Sequence, residues 1–148
     1  KARQRVNTLF KNGDIDIKFG IPELLKYFND KGIKCAVASS TKSEYVDLYL
    51  KSAGLRNYFN SVTGGEETER SKPEPDIFLA ACKKENSVPE NTIVFEDSPN
   101  GVTAALRANM DVICIPDLVC PPDEVLKKAL FVAKNAIEAM EFIKSVLD

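Results

Sequence analysis

The feature that most constrains the fold is a switch of hydrophobic period, repeated along the chain. Short runs that are apolar nearly throughout, at residues 33–38, 92–95 and 111–115, alternate with stretches whose apolar residues recur every three or four positions. Runs of the first kind suit strands buried on both faces, and stretches of the second kind suit amphipathic helices. The alternation argues for βαβ units and a doubly wound, Rossmann-like α/β fold around a parallel sheet.

Punctuation sharpens this reading. Pro22 suits the start of a helix carrying Leu24, Leu25 and Phe28, and Gly32 suits its end. Thr41-Lys42-Ser43-Glu44 reads as a capping box that opens a helix burying Val46, Tyr49, Leu50 and Ala53. Residues 61–64 form a short strand, and Pro73 and Pro75 introduce a helix with Ile77, Phe78, Ala81 and Cys82. After the run at 92–95 comes a helix with Val102, Ala105 and Leu106. The tail offers a short helix at 123–129, a strand at 131–133, and a last helix capped by Asn135 with Glu138 three residues on. Before all of these, residues 2–11 read as the end of a helix with Val6, Leu9 and Phe10 on one side, broken by Asn12-Gly13-Asp14.

With 148 residues, 44% hydrophobic and 28% charged, the chain suits one globular domain with an ordinary core. A net charge of -2, with both signs interspersed, gives no general attraction to nucleic acid or an anionic membrane surface. No apolar stretch approaches the length of a membrane span and no signal peptide is visible, so the expectation is a cytoplasmic protein. Histidine is absent, which excludes an imidazole base or a His-ligated metal. The four cysteines, Cys35, Cys82, Cys114 and Cys120, lack CxxC spacing and read as buried, reduced thiols rather than a disulfide framework or zinc site.

The chemistry lies where the strands stop. Ser39-Ser40-Thr41 follows the run at 33–38; its hydroxyls and amides form either an anion site or a helix cap. Lys72, in Ser71-Lys72-Pro73-Glu74-Pro75-Asp76, is a cation on a proline-stiffened connection, or one exposed lysine among many. Glu96-Asp97 ends the next strand, where two adjacent carboxylates suit a magnesium ion or the dipole of the helix that Ser98 and Pro99 begin. A hydroxyl, a lysine and an acid pair at successive strand ends together favour phosphate chemistry.

Three segments carry a resemblance: Ala36-Val37-Ala38-Ser39-Ser40-Thr41, Ser71-Lys72-Pro73-Glu74-Pro75-Asp76-Ile77-Phe78, and Val94-Phe95-Glu96-Asp97-Ser98-Pro99-Asn100-Gly101. In order and flanks they resemble the second, third and fourth motifs of the haloacid dehalogenase superfamily of phosphohydrolases, nearest its β-phosphoglucomutase-like branch, from about Gly20 to the C-terminus. The resemblance implies that Ser39 binds the transferred phosphoryl group with Ser40 nearby through its backbone. It implies that Lys72 neutralises charge at the phosphoryl group and nucleophile, and that Asp97, helped by Glu96, holds Mg2+. Lys72 is then expected to serve the phosphoryl group rather than the core, so that its truncation leaves the fold intact.

The first motif of that family, an apolar strand ending in Asp-x-Asp, has no counterpart here. Asp14-Ile15-Asp16 follows no apolar strand and reads as linker. The resemblance therefore implies a core lacking its central strand, which belongs between the runs at 33–38 and 92–95. Residues 1–19 would be the end of a helical cap and its return linker, residues 20–148 the C-terminal portion of the core, and the chain part of a longer protein. The implied function is a Mg-dependent phosphatase or phosphoglucomutase-like phosphotransferase acting on a small phosphorylated metabolite, a sugar phosphate. Its aspartyl-phosphate would form on a residue of the missing N-terminal segment, leaving this chain alone inactive. Two alternatives remain: a non-catalytic phosphate-binding or protein-interaction domain, and a receiver-like signalling domain, in which the acids would precede the lysine.

Overall fold

The computed structural model describes residues 18–117 and 119–148 in full; before residue 18 it describes only the backbone of residues 2–4, 10–11 and 14–15. The elements in chain order are β1 (Ala2–Gln4), β2 (Phe10–Lys11), β3 (Asp14–Ile15), α1 (Ile21–Asp30), β4 (Cys35–Ala38), α2 (Ser43–Ser52), β5 (Ser61–Thr63), α3 (Asp76–Lys84), β6 (Ile93–Glu96), α4 (Pro99–Arg107), β7 (Asp111–Cys114), α5 (Asp123–Leu126), β8 (Phe131–Val132) and α6 (Ala136–Leu147). From residue 20 onward each segment predicted from the sequence is present, shifted by a few residues at its ends.

The parallel pairings form two three-stranded sheets, which meet where β1 lies against β6. β1 pairs with β4 and β4 with β5, while β6 pairs with β7 and β7 with β8. The strands are covered on both faces because their side chains alternate in direction. Val94 and Val112 join one cluster with Ile77, Phe78 and Val102 from α3 and α4. Phe95 and Ile113, one residue on in each strand, join the other with Leu24, Phe28 and Ile143 from α1 and α6. Phe28 meets Phe95 edge-on, ring centroids 5.9 Å apart. The result is the doubly wound α/β sheet read from the sequence.

The N-terminal stretch departs from its reading as a helix end. Ala2–Gln4 is a strand, in register with Cys35–Val37, and it also lies against β6. β2 and β3 pair antiparallel, with Phe10 opposite Ile15 and Lys11 opposite Asp14. The cause is non-local: the facing edges of β4 and β6 present backbone donors and acceptors that burial would otherwise leave unsatisfied, and a short extended segment meets that need whatever its helical pattern. The expectations for Val6, Leu9 and Asp16 lie outside the described residues.

One cap also differs. The N-cap of α2 is Lys42, without a side-chain cap bond, so the predicted Thr41 capping box does not form. The Thr41 carbonyl instead accepts from Gly65 N–H at 3.1 Å. The carboxylate of Glu66, from a 3-10 turn at Gly65–Glu67, accepts the Ser43 N–H and the Ser43 hydroxyl. By contrast, Ser98 and Asn135 cap α4 and α6 as expected, accepting from Gly101 N–H and Glu138 N–H.

Cys35, Cys82 and Cys114 are buried free thiols, as expected, whereas Cys120 is exposed. Burial pushes the Cys114 thiol up to about 12, with nearby Cys120, Asp97 and Glu96 adding to the rise. It is a packing residue without thiolate character at neutral pH. No helix among the described residues is long and apolar enough to cross a membrane.

Candidate active site

In a parallel sheet wound with helices on both faces, ligands bind beyond the carboxyl ends of the strands. Each polar residue singled out in the sequence sits there. β4 delivers Ser39 and Ser40, the connection after β5 delivers Ser71 and Lys72, and β6 ends in Glu96 with Asp97 next. Ser40, Ser71 and Lys72 share a cavity of about 470 Å3 with Ser98, Pro99 and Asn100 at the start of α4.

Lys72 is the pivot. Its ammonium donates to Glu96 Oε2 at 2.6 Å, and the two side chains are only 6% and 0% exposed. The same ammonium stands 4.7 Å from the centre of the Phe78 ring, a cation–π distance. The other Glu96 oxygen accepts the Asp97 N–H at 3.1 Å. Behind it lies Gly101, where a Cβ would overlap the Glu96 carboxylate. Glu96 is thus sealed on every side and acts as the anchor that aims Lys72 rather than as a ligand offered to the cavity. The Lys72–Pro73 peptide is cis. Arg107 of α4 donates to the Pro73 carbonyl at 3.3 Å, tying the lysine's loop to the helix that borders the site.

That packing yields a direct expectation. Gly101→Ala should destabilise the protein by about 1–3 kcal/mol, the usual cost of overpacking a filled site, and displace the carboxylate that holds Lys72. Urea denaturation checks the first effect; an unchanged midpoint would mean that the carboxylate moves aside freely.

The two serines differ in position. Ser39 is fully buried, and its hydroxyl accepts the Thr41 N–H at 3.1 Å, a local turn that still leaves the hydroxyl proton to donate. Ser40 lines the cavity with Lys72, whereas Ser39 stands one residue behind it. Asp97 is half-buried beside Ser98. Ser71 and Asn100 lie inside the motifs read from the sequence but carried no role there; adjacency to Lys72 and to the α4 cap was the available signal. Phe78 was read as core alone, since its contact with Lys72 depends on how α3 turns back under the loop.

A model of the haloacid dehalogenase-like hydrolase family matches residues 1–115. The chain belongs to that family. A phosphorylated carbohydrates phosphatase of Thermotoga maritima is 37% identical over 94 residues, 64% of this chain and 44% of that protein. A mitochondrial (DL)-glycerol-3-phosphatase of Arabidopsis thaliana is 36% identical over 108 residues, 69% of this chain and 36% of that protein. Among solved structures, a β-phosphoglucomutase of Clostridium difficile superposes with a TM-score of 0.76 at 30% identity, over 88% of this chain and 56% of that one. The chain therefore spans between 36% and 56% of the length of these relatives. Family membership makes this a portion of a haloacid dehalogenase-like enzyme core, and its relatives include named phosphatases and a phosphomutase.

The magnesium ion that the family implies needs hard oxygen ligands. Asp97 fits, being a partly exposed carboxylate at a strand end beside the cavity. Glu96 fits poorly as a direct ligand, because both its oxygens are engaged within the protein. Among the described residues no three acidic or thiol side chains are grouped to hold a metal, so Asp97 can supply one ligand of several.

Proposed function

We propose that the whole protein is a Mg-dependent phosphatase or phosphoglucomutase-like phosphotransferase acting on a small phosphorylated metabolite of the sugar-phosphate class. The observation that carries this reading is Lys72, held by buried Glu96 at the wall of a cavity bordered by Ser40 and the capped start of α4. Phosphoryl transfer needs little more from its protein than such fixed donors aimed at the equatorial oxygens. Ser40 and Asn100, which line the cavity, receive the phosphate oxygens, Ser39 donates its hydroxyl proton from behind, and Lys72 offsets the developing charge. Asp97 would hold the metal, which when bound neutralises phosphoryl oxygen charge as a Lewis acid. The attacking aspartate comes from a part of the parent protein outside these residues; residues 20–148 form the core, and of the stretch 1–19 expected as cap end and linker, Ala2–Gln4 joins the sheet as a strand. On this reading the chain alone is inactive, and the protein works in the cytoplasm.

A second reading has one observation in its favour. The strand beside β4 and β6 in this chain is Ala2–Gln4, which carries no carboxylate, as a phosphate-binding module without a nucleophile would. Phosphate release from a broad panel of phosphate monoesters by the full-length protein, with and without magnesium, separates the two. Metal-dependent turnover of at least one ester is expected; binding without any turnover would establish the second reading.

A further inference from the structure

Two groups hold the Lys72 ammonium. Glu96 Oε2 accepts from it at 2.6 Å, and the same nitrogen stands over the Phe78 ring, 4.7 Å from its centre. A hydrogen bond alone leaves the end of a long, flexible side chain free to swing about its acceptor, and a second fixed neighbour removes that freedom. Water competes little for either contact, since the lysine side chain is 6% exposed and Phe78 is 1% exposed.

The ring is itself fixed. Phe78 is the third residue of α3, and it packs in the core cluster with Ile77, Val94 and Val102. Lys72 and Phe78 are joined by the short stretch Pro73-Glu74-Pro75-Asp76-Ile77, whose Pro73 carbonyl accepts from Arg107. The chemical kind of this neighbour matters as much as its place. A second carboxylate would hold the ammonium firmly but leave the group with net negative charge, which opposes an incoming phosphate. A ring face attracts the cation through its quadrupole and cancels none of its charge.

We propose that Phe78 is a positioning residue for phosphoryl transfer, holding the Lys72 ammonium by a cation–π contact where it meets the transferred group. The inference rests on the phosphoryl site proposed above and adds to it a residue that acts only through Lys72. Because the lysine answers charge that develops during transfer, its misplacement lowers kcat and leaves KM nearly unchanged.

Truncating Phe78 would mix lost attraction with lost packing, so the test alters the charge of the ring face and keeps its bulk. In the full-length protein Phe78 is replaced by mono-, di- and trifluorophenylalanine, and magnesium-dependent release of phosphate from p-nitrophenyl phosphate is followed. Each fluorine draws electron density from the ring face, so kcat should fall stepwise, by about tenfold at the trifluoro ring, with KM within about twofold. The trifluoro ring at Phe59, buried in the other core cluster, should leave kcat within about twofold of the unmodified protein. A constant kcat across the Phe78 series, or an equal fall at Phe59, would overturn the role of Phe78 and leave the phosphoryl site standing. Absence of release from p-nitrophenyl phosphate and from the wider panel of monoesters by the unmodified protein would remove the transfer reaction and this inference with it.

Discussion

Lys72→Ala is expected to lower the stability of the protein by about 3–5 kcal/mol as well as to abolish its chemistry, because it strands a buried charge. The partner is Glu96, fully buried, with Gly101 closing the space behind it. This corrects the sequence expectation that Lys72 serves the phosphoryl group alone and that its truncation spares the fold. The two effects separate in a double variant. Lys72→Met with Glu96→Leu replaces the pair by apolar groups of similar volume, which is often neutral or stabilising. That protein should fold near wild-type stability and, in the full-length enzyme, release phosphate about a thousandfold more slowly or worse, as for loss of a preorganised charge donor. Urea midpoints and phosphate release measure the two halves independently. Normal stability of Lys72→Ala would show that the pair contributes nothing net, and normal turnover of the double variant would detach Lys72 from the reaction.

Asp97→Ala should act in the opposite proportion, with a large loss of turnover and little change in stability. Asp97 is half-buried at the end of β6, and its backbone N–H can still donate to Glu96 after truncation. Its carboxylate is the one proposed above to hold magnesium. Removing a metal ligand of this kind is expected to weaken magnesium affinity by about tenfold to a hundredfold and to nearly abolish turnover of the full-length enzyme. Magnesium titration followed by calorimetry gives a readout that does not depend on the reaction. Unchanged affinity would refute the ligand assignment. The proposed function thus gives neighbouring residues separable roles: Asp97 would hold the metal, while Glu96 holds the lysine.

The sequence made the architecture legible because the signals for it are local. Apolar runs, periodic stripes and caps such as Ser98 and Asn135 depend on residues within one turn of each other. What it concealed was set by contacts between distant segments. Thr41 lost its capping role because Glu66, on a facing loop, reached the start of α2 first. Residues 2–4 became a strand because β4 and β6 both lie alongside them. The motif residues Ser39, Lys72, Glu96 and Asp97 were all found at the strand ends, yet the division of labour among them was not readable. Only packing shows that Ser40 rather than Ser39 lines the cavity and that Glu96 is sealed.

The matched charge at Lys72 also decides how an anion is recruited. An ammonium already balanced by a carboxylate adds no net charge to the cleft, while Asp97 adds negative charge. On the proposed function, attraction of a phosphate dianion would fall to Ser40 and Asn100 and to a cation held by Asp97, with the lysine orienting the anion after it arrives. Occupancy of the cleft should track the concentration of free divalent ion, with the lysine governing the rate at which a bound ester reacts.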